Sequence, residues 1–357
     1  MVQVMLAGLH ADPRFEVRHV DARISDDLED IGSFRPRKFF RLLKCILQAV
    51  WIRLRHGRMA FYYVPAPAKR SAIIRDWVVM ALCRPLFPEL ILHWHACGLG
   101  EWSSAGNDWA RRLTRCLLGK ATLSIALSEH NVADVARLNP ARIVVVPNGV
   151  PDPCPRFDAE VLPLRQAGGL GPLRCLFLAH CTRAKGLFDA LDAVALVHGR
   201  RLLPERGVTL TVAGKFVDED ERRSFEQRIQ GPDLRGADGS PVVSYVGFLD
   251  PEAKDDAFRS HDCMLVPSHW ESFGLTVVEA AAYGLPSVTS DHPNLVGLLP
   301  KGLGFSGRTG NAEDLSQVIR DAAGFRRFAD LREEFLQHYR SERFVRNISE
   351  ALLGVQK

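Results

Sequence analysis

The sequence predicts an α/β protein built from two doubly wound parallel-sheet domains that face each other across a cleft. Three observations predict it. Short β-branched and aromatic runs alternate with longer amphipathic ones, the pattern of βαβ units with helices on both sheet faces. The chain has 357 residues, and at about 150 residues per domain that makes two domains. The alternation lapses once, near 149–172, where Gly149, Pro151, Pro153, Pro155, Gly168, Gly169, Gly171 and Pro172 cluster without periodicity. The boundaries that follow are an N-terminal domain over 1–150, an interdomain linker over 151–171 and a C-terminal domain over 172–340. A last helix over 341–357 packs back towards the first domain.

Taken in order, residues 2–9 read as part of a helix that leads into a strand at 15–21. Further strands are expected at 59–64, 89–95, 122–127 and 142–146, with helical patterns between them. The second half repeats the scheme at 173–179, 208–213, 242–246, 263–266, 287–289 and 302–305. A doubly wound domain ordinarily opens on a strand and a loop before its first helix. Both are absent here, so the N-terminal domain lacks its first strand. Either the fold does without it or the true chain begins upstream of Met1. The second is the expectation, because losing a central strand would expose two sheet edges. Ligands in such sheets bind at the carboxyl ends of the strands.

Composition excludes several classes. Hydrophobic residues make up 46% and charged residues 25%, the mix of a folded globular chain and not of a disordered or collagen-like one. No apolar run reaches the roughly 18 residues that span a bilayer, and no basic segment followed by an apolar one opens the chain, so no secretory leader is expected. None of the eight cysteines falls in a CxxC pair or at a zinc-site spacing. They read as reduced, mostly buried thiols of a cytoplasmic protein. Net charge is only +4, but it is unevenly spread: residues 31–75 hold eleven Lys or Arg and no Asp or Glu. Within that stretch, 37–56 forms a basic amphipathic helix. Phe39, Leu43, Ile46, Leu47, Val50 and Leu54 fall in a sector of about 100°, with Arg37, Arg41, Lys44 and Arg55 opposite. The apolar face is expected to pack on the sheet. The cationic face is then free to rest on anionic lipid headgroups, a peripheral membrane contact through 35–58. No nucleic-acid motif accompanies the charge, and none is expected as a partner.

The sharpest local signal runs from Trp270 through Glu271, Ser272, Phe273, Gly274, Leu275 and Thr276 to Glu279 and Ala280. It follows the strand at 263–266, so Glu271 sits in a loop at a strand's carboxyl end. A helical pattern starts at Leu275, Gly284 is its C-terminal cap and Pro286 stops it. Glu279 lies about one turn inside. Backbone N–H groups near Gly274 to Thr276 suit a diphosphate, aided by the helix dipole. A carboxylate one turn along can accept hydrogen bonds from ribose hydroxyls, and the loop carboxylate is free to meet a transferred sugar. On spacing alone, an acidic helix start with a solvated Glu279 explains the pattern equally well.

This segment resembles the paired-glutamate motif of the retaining GT-B glycosyltransferases, specifically glycosyltransferase family 4 (group 1). Val145 to Val150 (VVPNGV), Phe177 to Gly186 (FLAHCTRAKG), Leu210 to Gly214, Val246 to Phe248 and Ala280 to Val288 resemble further family segments, in order and at family spacing. The likeness is close over 142–325 and loose before it. It implies a GT-B fold of two Rossmann-like domains and a nucleoside-diphosphate sugar held mainly by the C-terminal domain. It further implies that Glu279 binds the ribose, that Glu271 contacts the donor sugar, and that Phe273, Gly274, Leu275 and Thr276 line the donor. Lys185 pairs with the diphosphate. The family usually has Arg where this chain has His180, a weaker anion partner when neutral; Arg183 is the candidate to compensate. On the acceptor side the resemblance makes His95 the residue facing the transferred sugar, with His93 in reserve. The implied chemistry is transfer with retention to a glycan or lipid-linked glycan, as in cell-surface polysaccharide synthesis, on the inner face of the membrane. No cofactor and no metal is expected: Asp255 and Asp256 read as surface helix residues, not a metal motif. A GxGxxG run at Gly302 to Gly307 lacks the strand and helix context of a dinucleotide fingerprint and is set aside, the next helix starting instead behind Asn311. The rival readings are a non-catalytic GT-B scaffold for glycan assembly and a GT-B sugar-nucleotide epimerase or phosphorylase.

Overall fold

The computed structural model describes residues 1–22, 36–168 and 171–355. Arg35, the Arg37 side chain and Gly169, all used above, lie outside the described residues. The chain divides into two compact units, Met1–Gly149 with Ser341–Lys357, and Val150–Arg340.

Unit 1 holds four parallel strands, β1 (Ala60–Tyr63), β2 (Glu89–His93), β3 (Leu123–Ala126) and β4 (Ile143–Val145), adjacent in that order. Successive side chains of a strand point to opposite faces. Leu90 and Leu92 of β2 accordingly join one apolar cluster with Ile46, Met80 and Leu118. Ile91 joins another with Met5, Leu9, Phe344 and Ile348. Helices therefore cover both faces. On the second face lie the helices Val2–Ala11 and Ser341–Leu353. A Cβ added at Gly8 would stand 2.3 Å from Val345 Cγ1, so a glycine there sets how closely the two helices approach.

Two expectations fail in unit 1. Residues 15–21 form no strand. The alternation itself is real, since Phe15 and Val17 pack against the second cluster, but a strand also needs a ladder partner, and none of the described strands supplies one. The basic helix, Pro36–His56, packs a different face from the one expected. Ile46, Leu42, Ala49 and Val50 turn inward, whereas Leu47 and Leu54 are exposed. The helix carries two apolar stripes, and the sector read from the sequence straddles both.

Unit 2 is a six-stranded parallel sheet: β5 (Leu173–Leu178), β6 (Val208–Ala213), β7 (Val243–Gly247), β8 (Cys263–Val266), β9 (Ser287–Ser290) and β10 (Phe305–Gly307). The spatial order is β10-β9-β8-β5-β6-β7. The chain thus winds outward from β5 through β6 and β7, then returns to β8 on the other side of β5. That reversal creates a topological switch point at the carboxyl ends of β5 and β8. Phe177, Leu210, Val212, Leu265 and Val288 form the core with the helix Leu187–Gly199. β10 begins where 302–305 was expected to end, because Gly302 turns with a left-handed φ of 88° and the extended run starts after it.

The stretch expected as a linker, 151–171, is folded into unit 2 over its described residues. It holds the helices Phe157–Glu160 and Leu162–Ala167, too short to leave a periodic signal. Arg165 is buried there and donates to the carbonyls of Tyr283 (2.6 Å), His261 (2.9 Å) and Phe258 (2.7 Å). All eight cysteines are free thiols and five are buried. Among the described residues no helix is long and apolar enough to cross a membrane.

Candidate active site

The site is built at the switch point of unit 2. After β8 the chain turns and enters the helix Leu275–Ala282, whose N-cap is Gly274 at φ 92°. A Cβ at Gly274 would lie 2.7 Å from Leu295 Cδ2 and 2.8 Å from Leu298 Cδ1, so both backbone and space demand glycine. Among the described residues no side chain caps this terminus. The Leu275 and Thr276 amides belong to a first turn that has no intrahelical acceptor. Phe273 is buried, its ring set edge-on to Tyr339 at 6.3 Å. The far end of the helix is held by two buried guanidinium groups. Arg332 donates to Ala282 O (3.0 Å) and Arg165 to Tyr283 O (2.6 Å).

The loop after β5 brings in the cation. Thr182 Oγ1 accepts from the Lys185 amide (3.3 Å) and opens a 3-10 turn over Arg183–Lys185. Gly186 follows at φ 74°, where a Cβ would stand 2.0 Å from Pro267 O. The β5 and β8 loops therefore touch, and the His269 amide bonds Ala184 O (3.0 Å) at the same place. This contact sets Lys185 Nζ 2.7 Å from Glu271 Oε2, the side chains being 28% and 15% exposed. Glu271 Oε1 also accepts from the Ser272 amide (3.2 Å), and the buried Asn294 donates from Nδ2 to Glu271 O (2.9 Å). Glu279, 21% exposed, accepts from Lys254 Nζ at 2.7 Å. Lys254 stands on the helix Pro251–Ser260. Neither glutamate is a solvated surface group.

The remaining expected residues are placed as follows. His180 is exposed, two residues past the end of β5. Arg183 sets its guanidinium over the Phe188 ring at 4.0 Å and its amide on Glu221, so its charge is turned to that ring. Asp256 is exposed, while Asp255 accepts from Arg259 (2.6 Å) and from the Tyr283 hydroxyl. Asn311 caps the helix Ala312–Ala322 by accepting from the Asp314 amide. In unit 1, His95 lies just beyond the carboxyl end of β2, its ring 4.1 Å from that of His93. Burial lowers the His95 pKa to about 4 and pushes His93 well down too. Both imidazoles are therefore neutral at pH 7. The Tyr62 hydroxyl bonds His93 Nδ1. His93 Nε2 is buried without a hydrogen-bond partner among the described residues.

Sequence reasoning missed Lys254, Asn294, Arg165 and Arg332. Lys254 is an ordinary helical lysine until the fold brings it to Glu279, and no local pattern marks the other three. Among the described residues no group of three or more His, Cys, Asp or Glu side chains is arranged to hold a metal.

Two Rossmann-like α/β units of this kind place the chain in the GT-B fold class. Its structure matches that of sucrose-phosphate synthase from Thermosynechococcus elongatus with a TM-score of 0.71, at 19% identity, over 99% of this chain and 92% of that one. It matches Anabaena HepE in complex with UDP-glucose with a TM-score of 0.64, at 18% identity, over 90% and 84%. Residues 166–332 match the family model for Glycosyl transferases group 1. Glycogen synthase of Mycobacterium tuberculosis is 30% identical over 232 residues, 65% of this chain and 48% of that protein. Mannosylfructose-phosphate synthase of Agrobacterium fabrum is 29% identical over 141 residues, 40% of this chain and 30% of that protein. The chain spans about half the length, or less, of these curated relatives.

Proposed function

We propose that this protein is a family 4 glycosyltransferase that moves a sugar, with retention at the anomeric carbon, from a nucleoside-diphosphate sugar to a glycan or lipid-linked glycan. The observation that carries the reading is the Lys185–Glu271 pair, 2.7 Å apart at the switch point, beside a helix N-terminus with no side-chain cap. A donor diphosphate offers Lys185 a doubly charged partner and fills the open amides of Leu275 and Thr276. Releasing Lys185 frees the Glu271 carboxylate for the sugar hydroxyls. Glu279, held by Lys254, accepts from the ribose hydroxyls.

In the proposed reaction the bond between the anomeric carbon and the diphosphate oxygen breaks as the acceptor oxygen bonds the same face of that carbon. The acceptor proton passes to the departing phosphate. Lys185 and the helix-end amides stabilise the charge that grows on the leaving group, and in this reading they do so without a metal. His95 is the unit 1 residue proposed to meet the transferred sugar. Its support is its place past the end of β2 and a burial that keeps it neutral, able both to donate and to accept.

Incubating the protein with a panel of UDP-, GDP- and ADP-sugars and glycan acceptors tests the proposal, with NMR reading the anomeric configuration of the product. Retention, at a rate unchanged by EDTA, is the expected outcome. An inverted product would defeat the retaining assignment, and a rate abolished by EDTA the metal-free one. His180 in place of the usual Arg favours one rival, the glycan-assembly scaffold; sugar-nucleotide binding without turnover on any acceptor would support it.

A further inference from the structure

The helix Pro36–His56 has a second apolar stripe that no described residue covers. Phe40, Leu47, Trp51 and Leu54 are 67%, 59%, 60% and 73% exposed. At 100° per residue these four fall within about 60° of the helical wheel, well away from Leu42, Ile46 and Ala49, which face the core. Single exposed apolar side chains are normal, but a continuous stripe that includes Phe and Trp marks a contact surface. Lys44 and Arg55, both exposed, border the stripe on one side, and the Arg55 guanidinium lies 5.8 Å over the Trp51 ring. Arg53 Nε donates to Leu86 O at 2.6 Å, which brings another exposed leucine to the end of this helix.

Charge decides what the stripe meets. Residues 31–75 carry eleven Lys or Arg and no Asp or Glu. A second copy of this chain would set like charge against like charge. An anionic bilayer offers phosphates to the cations and acyl chains to the aromatic and aliphatic side chains. We infer that this helix docks unit 1 on an anionic phospholipid surface, lying in the plane of the interface. Phe40, Leu47, Trp51 and Leu54 enter the acyl boundary, and Lys44 and Arg55 sit among the headgroups. The sequence alone places lipid contact on the cationic face; the exposed stripe adds the apolar anchor. The inference is independent of the donor chemistry, since its test needs no sugar nucleotide.

Flotation of the full chain with vesicles provides that test. The wild type is expected to float with phosphatidylglycerol mixed into phosphatidylcholine and not with phosphatidylcholine alone, and added salt should weaken the binding. A Trp51→Ser, Leu54→Ser double variant should bind roughly tenfold less tightly or worse at an unchanged Tm. A Lys44→Glu, Arg55→Glu variant should also lose binding. No flotation with anionic vesicles, equal flotation with neutral ones, or wild-type binding by the serine variant would overturn the inference. So would a clear fall in Tm for the serine variant, since that would mean the stripe is covered within the folded chain. A wild-type dimer that the serine variant turns into a monomer would assign the stripe to self-association instead.

Discussion

Each carboxylate of the 271–279 motif already holds a lysine, and the two lysines come from different elements. Lys185 reaches Glu271 from the β5 loop, and Lys254 reaches Glu279 from a helix 25 positions earlier in the chain. On the proposed function these pairs take separate roles, which kinetics can tell apart. Lys185→Ala removes the cation proposed to face the leaving group and should lower kcat by roughly 10²–10³ with a smaller change in KM, the range seen when one charge-stabilising donor is lost. An unchanged kcat would remove its proposed role. In the proposed reading Lys254 acts through Glu279, as a positioning residue. Lys254→Met should raise the KM for the donor several-fold and leave kcat near the wild type, and Lys254→Arg should restore it. A variant that lowers kcat alone would argue against that division of labour.

At the scale of elements, the motif helix is held at both ends. Gly274 fixes how the chain enters it, and Arg165 and Arg332 take the carbonyls at its exit. Arg332 also grips Asp152 with two bonds, 2.8 and 2.6 Å, and donates to Cys154 O (3.0 Å). Burial alone would raise the Asp152 pKa, but the Arg332 bonds outweigh it and hold the carboxyl below its usual range. Arg332→Met removes both bonds to that carboxylate, which keeps the Cys154 amide at 3.0 Å, and should cost about 1–3 kcal/mol. A urea midpoint within error of the wild type would contradict this account. Much at this scale is legible in the sequence. β6 and β8 fall on 208–213 and 263–266 as expected, because β-branched and apolar runs there are bounded by turn residues. Phe15 and Val17 show the limit: alternation reveals which side chains turn inward and says nothing about whether a neighbouring strand exists. The Leu47 and Leu54 face was misread for a related reason, since periodicity cannot say which of two apolar stripes meets the core.

For the whole molecule, the order of motifs along the chain was legible, and the pairings that join distant segments were not. Glu271 and Glu279 stood out because they frame a helix start. Their lysine partners depend on sheet order, which brings β5 beside β8, and on close approaches such as Gly186 to Pro267. Stability should report the neighbouring histidines of unit 1, the buried His93 and the half-buried His95. In the unfolded chain they titrate near pH ~6.5, whereas burial holds His95 at about 4 when folded. Between these values the unfolded chain binds the proton and the folded one does not. Their contribution is therefore intact above about pH 6.5 and lost as pH falls towards 4. The urea midpoint of unit 1 should drop between about pH 7 and pH 5, and less so in His95→Gln. An identical drop in both proteins would show that His95 takes up its proton in the folded state.

On the proposed function, the charges gathered where β5 meets β8 bind an activated sugar through its nucleotide. Isothermal titration of the wild type and Glu279→Ala with a panel of UDP-, GDP- and ADP-sugars is the decisive measurement. Saturable binding of at least one of them is expected, weakened roughly 10–100-fold in the variant by the loss of hydrogen bonds to a charged group. Full affinity in Glu279→Ala, or no binding of any of them by the wild type, would contradict it.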